Sequence, residues 1–212
     1  MNLLKALKED IRMQEGLTGC INCGTCTAIC PAANFYEYDP RIITETVQRG
    51  IEAEIEELLS TDTIWYCGEC LSCRTRCPRG NTPGYIVQSL RNLSQELGYF
   101  TRSARGRQQL EVKRILGKNM LQYGYCVYLD EIDLDNHPEQ GPVWAWYRNH
   151  ASSILKRLGA KYHEEEAGTL RTIGEEDMKE LRKIFEETGA INRFEKLERF
   201  MEEAPEVRSH PS

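Results

Sequence analysis

The 212-residue chain is 40% hydrophobic and 28% charged, with a formal net charge of -6, which excludes collagenous, disordered and general nucleic-acid-binding chains. No stretch approaches the roughly 20 consecutive apolar residues of a membrane helix, and Lys5, Lys8, Glu9 and Asp10 interrupt any secretory leader, so a cytoplasmic protein is expected. Nine cysteines are the outlying quantity, and in a reducing compartment a metal framework is favoured over disulfides.

In chain order, residues 2–14 carry Leu3, Leu4, Leu7 and Ile11 at helical spacing and predict one amphipathic helix. Asp39-Pro40 supplies an N-cap acid and an N1 proline. The stripe Ile42, Ile43, Val47, Ile51, Ile55, Leu58 and Leu59 then runs on, with a break expected at Gly50. Thr82-Pro83 repeats the start signal, and Ile86, Val87, Leu90, Leu93 and Leu97 form one face that stops at Gly98. Residues 103–116 predict a basic helix, and residues 123–129 are the one candidate strand. Residues 130–142, with Asn136, Pro138, Gly141 and Pro142, read as a loop, so a boundary is expected between about 118 and 143. Helical patterns follow over 144–158, 175–188 and 191–202, and the last nine or so residues look frayed. Between Arg91 and Lys118 seven basic residues face two acids, while thirteen acids face eight bases from Lys161 to Glu203. Both read as solvated helix faces or as surfaces for charged partner subunits.

Eight cysteines form two copies of C-x2-C-x2-C-x3-C-P: Cys20, Cys23, Cys26, Cys30, Pro31 and Cys67, Cys70, Cys73, Cys77, Pro78. Three thiolates two residues apart can wrap three corners of a cube from one curling loop, while the fourth enters the following helix and points away. In two-cluster ferredoxins that fourth ligand serves the other cube. By this rule Cys20, Cys23, Cys26 and Cys77 hold one 4Fe-4S cluster, and Cys67, Cys70, Cys73 and Cys30 hold a second. Pro31 and Pro78 lack an N–H and end the approaching helix, and Gly24 and Gly68 are expected to let backbone approach the inorganic sulfide. Zinc takes separated cysteine pairs or His-containing sets in closed tetrahedra, which this pattern does not follow. A cube with four thiolates offers no open iron, so electron relay is the expected role and no catalytic residue is assigned.

The block CINCGTCTAICP, the thirty-six-residue helical spacer from Cys30 to Cys67, and the block IWYCGECLSCRTRCPRG resemble the C-type iron–sulfur subunit of heterodisulfide reductase, of the alpha-helical ferredoxin group. The resemblance covers roughly residues 15–118. It implies an all-α fold with two 4Fe-4S clusters. It further implies electron relay in a cytoplasmic complex, between a flavin- and cluster-bearing A-type chain and a B-type chain whose CCG repeats build the sulfur-active site. No Cys-Cys pair occurs here, so that site belongs on a partner. Succinate and fumarate oxidoreductase iron–sulfur chains carry a preceding [2Fe–2S] domain, for which nineteen residues leave no room. The expected organisation is a dicluster domain over 1–118 and a mostly helical, partner-docking extension over 119–212. That extension resembles the heterodisulfide-reductase-like complexes of sulfur oxidisers. The alternatives are a relay chain of a hydrogenase- or formate-dehydrogenase-linked complex, and a regulatory or structural iron–sulfur protein.

Cys126 reads as a small hydrophobe, and His137, His150, His163 and His210 share no metal spacing. Trp65 and Tyr66 are expected to shield the adjacent cluster. Trp144, Trp146 and Tyr147 are expected to serve as core or interface anchors. Arg74, Arg76 and Arg79 either offset cluster charge or form a solvated face.

Overall fold

A computed structural model describes residues 2–126, 141–162 and 164–204. Ten α-helices and no strand occur among these residues, so the fold is all-α as expected: α1 (Leu3–Glu9), α2 (Ile11–Gly16), α3 (Thr25–Ala28), α4 (Pro40–Arg49), α5 (Glu52–Ser60), α6 (Pro83–Glu96), α7 (Ala104–Tyr123), α8 (Gly141–Arg157), α9 (Glu175–Glu187) and α10 (Ala190–Glu202). The helix predicted over 2–14 is two helices, because Asp10 leaves helical geometry and its carboxylate accepts the Arg12 N–H at 2.9 Å. A side chain that can cap a new helix competes with continuing the old one. The break at Gly50 is observed, with φ 72 closing α4. Tyr123 of the candidate strand ends α7. Residues 127–129, most of the expected loop, His137, His163, His210 and the C-terminal stretch lie outside the described residues.

The chain divides into two compact units, residues up to 108 together with those from 197, and residues 109–196. In the first, α6 is the central helix and packs against α1, α2, α4 and α5. Ile55, Leu59, Ile64, Ile86, Val87 and Leu90 are fully buried, and each contributes about 1.5–3 kcal/mol of hydrophobic stabilisation relative to exposure. Gly16 allows α2 to lie against α6, since a Cβ there would stand 3.1 Å from Tyr85 Cβ. Its carbonyl accepts the Thr82 N–H at 2.8 Å. The contact registers the start of α6 beside the entry to the first cysteine loop.

In the second unit, Ala151 and Leu155 of α8 are buried with Trp144, Tyr147, Tyr162 and Leu170 packed on them. Trp146 instead lies 57% exposed and stacks on His150. Of the three aromatics expected as anchors, two are therefore core and one faces solvent.

Candidate functional site

The two cysteine motifs fold into loops with the same backbone signature. Asn22 and Glu69, each two residues after a first cysteine, take left-handed φ values of 60 and 53. Each donates its N–H to that cysteine's sulfur at 3.4 Å. Gly24 and Leu71 occupy the next matching position, with φ 78 and 57. The left-handed counterpart of Gly24 in the second loop is Leu71, while Gly68 is not among the left-handed residues. A left-handed Leu costs on the order of 1–3 kcal/mol and persists only where its surroundings enforce it. Its side chain fills the space over Gly84, where a Cβ would come within 2.9 Å of Leu71 Cδ2. One residue further on, Thr25 and Ser72 place hydroxyls 3.4 and 3.5 Å from the sulfurs of Cys23 and Cys70.

The fourth cysteines also depart from expectation. Cys30 and Cys77 follow a one-turn helix, α3 and a 3-10 turn over Arg74–Arg76, rather than entering the next long helix. This placement carries each across to the other loop. One small cavity, partly open to solvent, is lined by Cys20, Cys23, Cys26 and Cys77. The other is lined by Cys26, Cys30, Cys67, Cys70 and Cys73, so that Cys26 lines both. The eight sulfurs that spacing singled out therefore line two cavities, with Cys77 beside the first loop's cysteines, Cys30 beside the second loop's, and Cys26 in both.

Two bridges fasten the loops to each other. Asn81 is 2% exposed. Its Oδ1 accepts the N–H groups of Thr18 and Gly19 at 2.8 and 3.1 Å, while its Nδ2 donates to the Gly19 carbonyl and, at 3.6 Å, to Cys77 Sγ. It thereby ties the entry of the first loop to the exit of the second. At the opposite junction Tyr36 stacks on Tyr66 with ring centroids 4.5 Å apart, and buried Tyr38 lines the second cavity. Burial, followed by the Cys67 charge and hydrogen bond, pushes the Tyr38 hydroxyl well above its ordinary value, so it stays a neutral donor. Neither Trp65 nor Tyr66 lines the cavity. Trp65 is buried under Arg91 and close to Gly106, and Tyr38 takes the shielding place expected of it.

Each loop is also held from a long helix. Gln48 of α4 accepts the Cys20 N–H at 2.5 Å and donates to its carbonyl at 3.2 Å. Asp39, the N-cap of α4, accepts from Thr27 Oγ1 and pairs with Arg41, whose other nitrogen donates to Asn22 Oδ1 at 2.6 Å. Burial pushes the Asp39 carboxyl up, but Thr27, Arg41 and the N–H groups of Arg41 and Ile42 together hold it below its ordinary value. On the second loop, Arg91 of α6 donates to the carbonyls of Ile64 and Cys67 at 2.8 and 2.7 Å and pairs with Glu69. Arg91 is thus an inward clamp and not part of a basic face. Arg102 pairs with Glu56 at 3.5 Å and Arg114 with Glu111, which further reduces that face. Asn81, Gln48, Tyr38 and Arg91 were not assigned to the site from sequence, although Asn34 and Asn81, Tyr38 and Tyr85, and Gln48 and Gln95 stand at matching offsets after the two fourth cysteines, a repeat that carried a signal for three of them.

This donor set fits two iron–sulfur cubes. All eight cysteines are unpaired by disulfides, and sulfur-directed donors reach both loops. Burial raises Cys26 to about 11 and Cys73 above its ordinary value, while the Thr25 and Ser72 hydroxyls lower Cys23 and Cys70. In each loop the outer thiol is thus the readier nucleophile for iron, and the inner one must lose its proton to the incoming metal. Among the described residues no helix is long and apolar enough to cross a membrane.

The 4Fe-4S dicluster domain family matches residues 16–81. The C-type chain of the ferredoxin:CoB-CoM heterodisulfide reductase of Methanosarcina acetivorans is 40% identical over 126 residues, 55% of this chain and 46% of that protein. The C-type iron–sulfur chain of the CoB–CoM heterodisulfide reductase of Methanopyrus kandleri is 36% identical over 105 residues, 48% and 53% of the two chains. A C-type chain of the ferredoxin:CoB-CoM heterodisulfide reductase of Methanosarcina mazei is 30% identical over 141 residues, 66% of this chain and 76% of that protein. The chain spans about half the length of the first two of these relatives.

Proposed function

Because the chain belongs to the family of C-type heterodisulfide reductase subunits and carries two 4Fe-4S clusters, we propose that it is the electron-relay subunit of a cytoplasmic heterodisulfide-reductase-like complex. Bound in the two cavities, the clusters supply one-electron transfer. Cys20, Cys23, Cys26 and Cys77 ligate one, and Cys30, Cys67, Cys70 and Cys73 the other. The crossed lining of the two cavities is the observation that carries this reading. Asn81 and Tyr38 direct donors at Cys77 and Cys67, and Gln48, Arg41 and Arg91 fix the loops so that little rearranges when charge arrives.

The partners are a flavin- and cluster-bearing A-like chain and a CCG-repeat B-like chain, on which the sulfur chemistry takes place. Exposed Ile21, Phe35 and Tyr36 around the first loop suit burial against such a partner. The dicluster domain spans 1–118. In this reading the extension from 119, with Val143, Trp146 and Leu158 exposed, docks a further chain of a complex that oxidises sulfane sulfur.

Anaerobic purification from the native host, with partner identification by mass spectrometry and iron and sulfide analysis, tests this reading. About eight of each per chain, with a flavoprotein and a CCG-repeat protein, is the expected result. Zinc, or a chain without partners, would overturn it.

A further inference from the structure

The two thiol sets differ in the charge that faces them. Each loop has one guanidinium neutralised by an acid, Arg41 by Asp39 and Arg91 by Glu69. Arg74 is drawn over the Tyr85 ring and donates to its hydroxyl at 3.2 Å, and Arg76 lines neither cavity. Arg79 remains. Although it follows the second motif in sequence, it lines the first cavity beside Cys20 and Cys77. Its Nη2 lies 3.9 Å from where a Cβ on Gly19 would sit, and it makes no ion pair among the described residues.

We propose that Arg79 gives the cluster held by Cys20, Cys23, Cys26 and Cys77 the higher potential of the two, so that it is reduced first. The inference rests on the crossed ligation proposed above. Reduction adds one electron, and so one negative charge, to a site already surrounded by four thiolates, and an unpaired cation at its rim favours that state. For an exposed group the effect is a threefold to tenfold change in the reduction equilibrium, about 30–60 mV for one electron. It weakens as salt screens it. The order makes the first-motif cluster the resting place of the electron, with uphill transfer needed to leave through the second.

The test is an EPR-monitored dithionite titration of the anaerobically reconstituted full chain at low ionic strength. Two reduction waves are expected, the higher one missing in Cys77→Ser and Cys20→Ser and the lower one in Cys30→Ser. Arg79→Gln lowers the higher wave by a threefold to tenfold shift in equilibrium with about eight irons retained, Arg79→Lys restores it, and Arg74→Gln leaves it in place. High salt moves the wild-type wave towards that of Arg79→Gln. An unmoved higher wave in Arg79→Gln, or its loss in Cys30→Ser, overturns the Arg79 assignment alone. Loss of different waves in Cys20→Ser and Cys77→Ser overturns the crossed ligation and this inference with it.

Discussion

The two cysteine loops reach the same backbone shape by different means. In the first, left-handed geometry falls on Asn22 and Gly24, residues that adopt it readily, and the loop is held from α4 by Gln48 and the Asp39–Arg41 pair. In the second it falls on Glu69 and Leu71, which resist it, and the loop is held by the Arg91 clamp, the Glu69 bonds and the packing of Leu71 over Gly84. A cluster loop therefore needs the conformation and not a particular residue. Where the local sequence disfavours the shape, tertiary contacts supply it.

The sharpest way to break the symmetry is to remove the crossing ligands. Cys77→Ser and Cys20→Ser are expected to reduce iron content by about half and to erase the same spectroscopic signal, with Cys30→Ser erasing the other. Iron analysis with EPR checks this, and separate signals for Cys20 and Cys77 would contradict it. Next in size, Asn81→Leu takes the side-chain acceptor from the part-buried N–H groups of Thr18 and Gly19 and removes the donor to Cys77, costing about 0.5–1.5 kcal/mol for each bond lost. Thermal unfolding and chelator-driven iron release should show the first-loop cluster lost ahead of the second.

A smaller effect separates the glycines. Gly24→Ala meets no neighbour within 4 Å but forces a side chain to φ 78, for about 1 kcal/mol of destabilisation. Gly68→Ala, which also meets nothing within 4 Å, should be near neutral, and equal losses in melting temperature would refute the matched geometry. The smallest effect concerns pH. The Asp39 carboxyl is held below its ordinary value, so its contribution is present above the unfolded-state value near 4 and is lost as pH falls through the lower folded-state value. Asp39→Asn keeps an N-cap but gives up that dependence. Its first-loop cluster should be retained less well than wild type's at pH 6, with the difference shrinking on acidification, as followed by absorbance.

Much of the site was legible because cluster ligation imposes strict local spacing. The eight cysteines, the two prolines that end short turns, and the Asp39-Pro40 and Thr82-Pro83 helix starts all carry short-range signatures. The helix expected over 2–14 failed locally, because a carboxylate at Asp10 can equally end one helix and begin the next. Arg79 was legible as a cation near Cys77, which the crossing rule already grouped with the first loop, but that Arg79 and neither Arg74 nor Arg76 lines that cavity was not.

By itself, then, the sequence determined the eight thiols, the all-α class and the resemblance to the C-type heterodisulfide reductase family, because each depends on residue type and on spacings of two to four residues. Tertiary structure decided which donors meet those thiols. Asn81 reaches back 63 residues to Thr18, Gln48 reaches 28 to Cys20, and Arg91 reaches 24 to Cys67. Contacts over such separations are fixed by how α4 and α6 pack, and no local pattern encodes that packing.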